Sequence, residues 1–132
     1  MPTGDSRASF AKTARLLKHA DFDRVYQTGR RHFGPYFTAF FLARARGGPR
    51  VGFTVGRALG GAVVRNRIRR RLREAVRLHL GELPVAADVV FNPRKSVLTA
   101  DFAELQREVA GAFRLIARKG ASGAAPAKGE AR

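Results

Sequence analysis

Between Arg65 and Arg77, seven of thirteen residues are arginine, and the run contains neither proline nor glycine. Arginine, leucine and alanine all favour the helix, so a helix is predicted over 62–80, with Gly81 ending it and Pro84 just beyond. Beneath the charge, Val64, Ile68, Leu72, Ala75, Val76 and His79 recur at the three- and four-residue spacing of one helical face. Asn66, Arg70, Arg73 and Arg77 fall on the opposite side. Arg65 and Arg69 flank the apolar stripe on one side, Arg67 and Arg71 on the other. Such a helix constrains the whole chain, because one face must be covered by a core while the other stays open. Glu74 is the single acid in the run, so like charges repel at each i, i+4 step. That cost implies a polyanion that neutralises it, and a nucleic-acid-binding face is favoured over a merely solvated one.

The rest of the chain repeats the bias. Lys and Arg total 26 against 10 acids, a net charge of +16, and arginine outnumbers lysine by 21 to 5. Guanidinium forks suit bidentate phosphate contact and stacking on bases. A basic amphipathic peptide also suits an anionic membrane, but ten phenylalanines spread through a mixed sequence describe a globular core. At 132 residues that core belongs to one domain. Cysteine is absent, which removes disulfides and thiolate ligands and fits a reducing compartment. No apolar run approaches the roughly 20 residues of a membrane span, and residues 1–12 lack the apolar core of a signal peptide. The expectation is a cytoplasmic protein with no membrane partner.

In chain order, residues 1–14 read as a flexible basic arm, 15–118 as the folded domain, and 119–132, rich in Ala, Gly and Lys, as a flexible tail. A short helix runs from Leu16 towards Gly29, with Asp21 as its cap and Gly29 closing it in the left-handed region. Residues 31–46 read as one aromatic strand, with Tyr36, Thr38 and Phe40 on one face and Phe37, Ala39 and Phe41 on the other. Gly47-Gly48-Pro49 turns the chain into a second strand, Val51–Val55, expected to pair with the first as a hairpin. A third strand follows the arginine helix over Val85–Phe91, interrupted by Asp88. Residues 92–96 form a basic loop, and Thr99 or Asp101 caps a last helix through about Arg118. The order is α-β-β-α-β-α, an α+β fold with helices packed on one small sheet as an α/β sandwich.

No constellation of catalytic residues is legible. His19, His32 and His79 fall on three different elements, no histidine pair has metal-ligand spacing, and the acids form no cluster. His79, on the apolar stripe, reads as a packed histidine. Neither a catalytic residue nor a metal ligand is assigned. Phe22 and Tyr26, four apart on the first helix, read equally as core or as part of an aromatic cleft with Tyr36 and Phe40, where unpaired bases stack.

The stretch Gly60-Gly-Ala-Val-Val-Arg-Asn-Arg-Ile-Arg-Arg-Arg-Leu-Arg-Glu-Ala-Val76 resembles the signature of the bacterial ribonuclease P protein component, whose hallmark is Arg-Asn-Arg in a basic helix. Leu17-Lys18 with Asp21-Phe22 and Val25-Tyr26 resembles the family's opening helix. Arg50-Val51-Gly52-Phe53-Thr54-Val55 resembles its strand before the basic helix, while Asp88–Phe91 and Asp101–Leu105 resemble its later strand and last helix. The likeness covers 16–118 in order. It implies a sandwich like ribosomal protein S5 domain 2, with a left-handed β-α-β crossover carrying the basic helix. It also implies two RNA partners: precursor tRNA and, in a 1:1 complex, the catalytic RNA of ribonuclease P, which removes the 5′ leader of that precursor by magnesium-dependent hydrolysis. The magnesium is held mainly by that RNA and the substrate, and the protein alone is inactive.

Carried over by position, Arg57, Arg65, Asn66, Arg67, Arg69, Arg70 and Arg73 become RNA-binding residues, with Arg65, Asn66 and Arg69 also directed at the leader. Phe22, Tyr26 and Phe40 become the leader-binding cleft. Three positions depart from the family pattern. Arg57-Ala58 stands where two lysines are usual, Gly60-Gly61 where an asparagine usually adjoins the glycine, and Asn92-Pro93 where a basic residue is common. The rival readings are a ribosomal or other structural RNA-binding protein with no role in cleavage, and a stand-alone nuclease.

Overall fold

The computed structural model describes residues 18–121, so the proposed arm and Leu16-Leu17 lie outside the described residues. Three helices, α1 (His19–Thr28), α2 (Ala62–His79) and α3 (Phe102–Ala121), accompany four strands: β1 (Arg30–Phe33), β2 (Phe37–Ala43), β3 (Arg50–Phe53) and β4 (Ala87–Pro93). The strands form one sheet in the order β1-β2-β4-β3.

The single strand expected over 31–46 is two. Gly34-Pro35 breaks it, and the Gly34 N–H donates to the Phe37 carbonyl at 2.9 Å, turning the chain back on itself. β1 and β2 pair antiparallel with Arg31 opposite Phe40 and Phe33 opposite Thr38. The order is therefore α-β-β-β-α-β-α.

The expected hairpin between the aromatic strand and Val51–Val55 does not form. β4 is inserted between β2 and β3, antiparallel to the first and parallel to the second. β3-α2-β4 is thus a crossover between parallel neighbours, the arrangement that requires an intervening helix. The physical reason lies in β4. Its residues are almost all buried, and a strand covered on both faces belongs at the centre of a sheet. Asp88, buried in that strand, is tolerated because Arg50 on β3 grips it through Nε and Nη2 at 2.8 and 2.9 Å, with Arg44 at 3.4 Å.

The main core lies between one sheet face and the pair α2–α3. Phe37, Ala39 and Phe41 of β2 and Val89 and Phe91 of β4 meet Ile68, Leu72 and Val76 of α2 and Leu105, Val109 and Phe113 of α3. Phe91 is its centre, edge-on to Phe37 and Phe113 and stacked on Phe53. The apolar stripe of the arginine helix is thereby buried as expected. His79 is held rather than merely packed, with Nδ1 2.8 Å from Glu82 Oε2 and Nε2 3.0 Å from Gln106 Oε1.

On the opposite face, α1 covers part of the sheet, and Val25 and Val90 form a smaller buried cluster with Phe22, Tyr26, Phe40 and Leu42 around it. Lys18, not Asp21, occupies the cap position of α1, and Asp21 sits in the first turn, bound to Arg24 and facing Arg50. Gly29 has φ −85° and is not left-handed. Glycine is needed there for closeness, since a Cβ would stand 2.5 Å from the Phe41 carbonyl oxygen and 2.6 Å from that of Val25. α3 continues to Ala121, three residues into the proposed tail, whose remainder lies outside the described residues.

Candidate nucleic-acid interface

α2 starts without a side-chain cap. Gly61 occupies the cap position, and Gly60, at φ 140°, leads the chain in. A side chain at Gly60 would be strained by that φ and would meet Val64 Cγ1 at 2.9 Å. Arg65 Nε donates to the Gly60 carbonyl at 3.1 Å, which ties that side chain to the entry turn but leaves the first N–H groups of the helix without a side-chain acceptor. Arg57 is exposed on the single 3₁₀ turn, Arg57–Leu59, before the helix.

The arginines of α2 divide by what they touch. Asn66, Arg69, Arg70 and Arg73 line an open concavity of about 230 Å³. Within it, Arg69 Nη1 donates to Asn66 Oδ1 at 2.9 Å, so the asparagine orients its neighbour's guanidinium. Arg67 is exposed beside them. Among the described residues, Arg65, Arg67, Arg69 and Arg70 have no carboxylate within ion-pair distance. Arg77, expected on the open face, is instead held bidentately by Glu74 at 3.1 and 2.6 Å. Arg71 turns the other way. Its guanidinium donates to the carbonyls of Val97 and Ala100 at 3.0 Å and again to Ala100 at 2.7 Å, over the Phe102 ring. Those are the carbonyls that end the 3₁₀ turn Lys95–Leu98 and lead into α3, so Arg71 ties three elements together.

The aromatic cleft forms where α1 meets the open sheet face. Tyr26 and Phe40 pack edge to face with centroids 4.9 Å apart. The Tyr26 hydroxyl lies 2.8 Å from Thr54 Oγ1 and 2.9 Å from Asn92 Oδ1, across the end of the sheet. Phe22, Tyr26 and Phe40 are each half-buried, packed around Val25 and Val90. Tyr36, expected beside Phe40, is not in this cleft. It precedes β2 and packs against the main core, where burial and the nearby Glu104 and Glu108 raise its phenol above the usual value.

Thr54 and Asn92 are cleft residues that sequence reasoning missed, since they meet only once β3 and β4 are known to be neighbours. Arg31 and Phe33 of β1 lie on the same sheet face as Phe40, a placement that alternation along β1 gives only once Gly34-Pro35 is read as a turn. Among the described residues, no three of His, Asp and Glu converge on a common point, and no helix is long and apolar enough to cross a membrane.

The sequence profile of the family described as Ribonuclease P matches residues 10–117. The chain belongs to that family. The ribonuclease P protein component of Desulfovibrio desulfuricans is 42% identical over 108 residues, covering 79% of this chain and 83% of that protein. Among solved structures, the Thermotoga maritima ribonuclease P protein superposes with a TM-score of 0.70 at 28% identity, over 77% of this chain and 96% of that one. The Staphylococcus aureus protein gives 0.67 at 27% identity, over 79% and 95%. The four-stranded sheet with three helices is therefore the ribonuclease P protein fold, and the chain is a protein component of that ribonucleoprotein. Within this family frame, α2 carries the Arg-Asn-Arg signature on its first two turns, and the cleft occupies the sheet face that α1 leaves partly open.

Proposed function

We propose that this chain binds the catalytic RNA of ribonuclease P through the outward arginines of α2 and holds the single-stranded 5′ leader of precursor tRNA in the cleft of Phe22, Tyr26 and Phe40. The observation that carries this reading is the grouping of Asn66, Arg69, Arg70 and Arg73 around one open concavity. Four polar donors converging without a carboxylate at Arg69 or Arg70 favour phosphate oxygens as the missing acceptors. Arg65, Arg67 and exposed Arg57 extend the same charge towards the start of the helix. Thr54, at the cleft, is followed within a few residues by Arg57 and α2, so leader and RNA contacts adjoin along the chain.

In this division of labour the protein neutralises phosphate and orients the leader, while the RNA performs hydrolysis of the leader bond. Aromatic rings that are only partly buried suit that role, because stacking holds any base and so tolerates leaders of varied sequence. The chain's own donor groups do not fit a cage for magnesium. The ion is proposed to sit on phosphate oxygens of the RNA and substrate, and the complex to be 1:1 and cytoplasmic.

The test is to add the purified protein to a bacterial ribonuclease P RNA and a 5′-extended precursor tRNA at low magnesium and physiological salt. Restored leader cleavage supports the reading. Binding of the RNA without any change in cleavage would make this a structural RNA-binding protein, and cutting by the protein alone would make it a nuclease in its own right.

A further inference from the structure

The proposed cleft ends at Phe40, yet the open sheet face continues for one more strand. On β1, Arg31 stands opposite Phe40 and Phe33 opposite Thr38, so both side chains lie on the face that carries the cleft. Phe33 is 56% exposed on an edge strand, where an uncovered aromatic invites unwanted pairing. The Arg31 guanidinium lies 5.5 Å from the Phe33 centroid and 5.9 Å from that of Phe40, bridging the two rings. Among the described residues, no carboxylate comes within ion-pair distance of Arg31. A second cation adjoins, because Arg94 Nη2 donates to Thr38 Oγ1 at 3.2 Å, directly across from Phe33. Successive strands are about 4.8 Å apart, which sets Phe33 roughly 10 Å from Asn92 on β4.

We propose that Arg31 and Phe33 form a further nucleotide subsite at the edge of the sheet. One base of the single-stranded leader stacks on Phe33, and Arg31 takes the phosphate that joins it to the nucleotide over Phe40. Charge complementarity favours RNA over a protein partner, since the exposed Phe33 ring lies on a sheet face shared with Arg31 and Arg94. A guanidinium stacked on rings still presents its edge donors to phosphate, and an aromatic face accepts any base. The inference rests on the proposed leader-binding role of the cleft and extends it by one position.

The experiment uses holoenzyme reconstituted from the full chain and the catalytic RNA, with precursor tRNAs whose leaders lengthen one nucleotide at a time. For the unmodified protein, substrate affinity is expected to rise with leader length and then level off. Phe33→Ala should level off at least one nucleotide earlier and bind long leaders about tenfold more weakly, and Phe33→Trp should restore the late gain. Arg31→Ala should lower the slope of log affinity against log salt by about one for long leaders. The proposal is overturned if Phe33→Ala matches the unmodified protein at every length, or if it weakens all lengths equally, which would place Phe33 against the RNA subunit. If the unmodified protein is itself indifferent to leader length, the cleft reading fails along with it.

Discussion

Arg70 and Arg71 are neighbours in sequence with opposite duties. Arg71 donates to the carbonyls of Val97 and Ala100, and losing a charged donor from several partly buried acceptors costs about 2–3 kcal/mol. Arg71→Ala should therefore lower the thermal midpoint clearly, while Arg70→Ala leaves it in place and reduces the salt slope of RNA binding by roughly 0.7–0.9. Thermal unfolding and salt titration of the two variants, run side by side, check this split. His79 supplies a pH test. Both its ring nitrogens face acceptors, so the hydrogen bond to Glu82, opposed by partial burial, raises it above its ordinary 6.5. Glu82 in turn is held below its ordinary 4.5, chiefly by His79. A raised histidine contributes fully below its unfolded value, and that contribution is lost as pH rises through the folded value. A lowered carboxylate contributes fully above its unfolded value and fails as pH falls through the folded one. The pair should thus add stability in full between about pH 4.5 and 6.5, and urea midpoints should decline above that window. Glu82→Gln should flatten the decline; an unchanged pH profile would mean that the pair does not charge.

α1 and the sheet together make the cleft, and the spacing between them depends on Gly29. A Cβ there would sit 2.5 Å from a β2 carbonyl oxygen, and both close contacts are backbone atoms that cannot swing aside. Gly29→Ala should cost about 1–3 kcal/mol and weaken leader binding at the same time, because α1 must move off the sheet. Phe22→Ala offers the contrast. It should raise the dissociation constant for leader-bearing substrate while leaving assembly with the RNA largely intact, as measured by binding of mature and 5′-extended tRNA. Unfolding of the domain, without a selective loss of leader binding, would make Phe22 a core residue only.

At the level of the whole molecule, a net charge of +16 makes RNA affinity a salt-dependent quantity. If Arg57, Arg65, Arg67, Arg69, Arg70 and Arg73 each neutralise one phosphate, log affinity against log salt should fall with a slope of about −4 to −5. A slope near −1 would show that the α2 face is not the one used. The same charge would destabilise a small domain by self-repulsion. Here it is directed outward by a single core that covers the other side of α2.

Local periodicity determined much of this protein. The apolar stripe that buries Ile68, Leu72 and Val76, the Arg-Asn-Arg signature, and the pairing of Phe22 with Tyr26 are all set by residues within two helical turns, so they were legible in the chain. What lay beyond it was decided by partners distant in sequence. The insertion of β4 between β2 and β3 follows from a strand that needs cover on both faces and an Asp88 that needs Arg50. Only that insertion brings Thr54 and Asn92 to the Tyr26 hydroxyl. The anchoring of Arg71, which flanks the apolar stripe, is likewise tertiary, because its carbonyl acceptors lie on the far side of the crossover. A helical wheel assigns side chains to faces, but only packing decides which of those faces meets protein and which is left for another molecule.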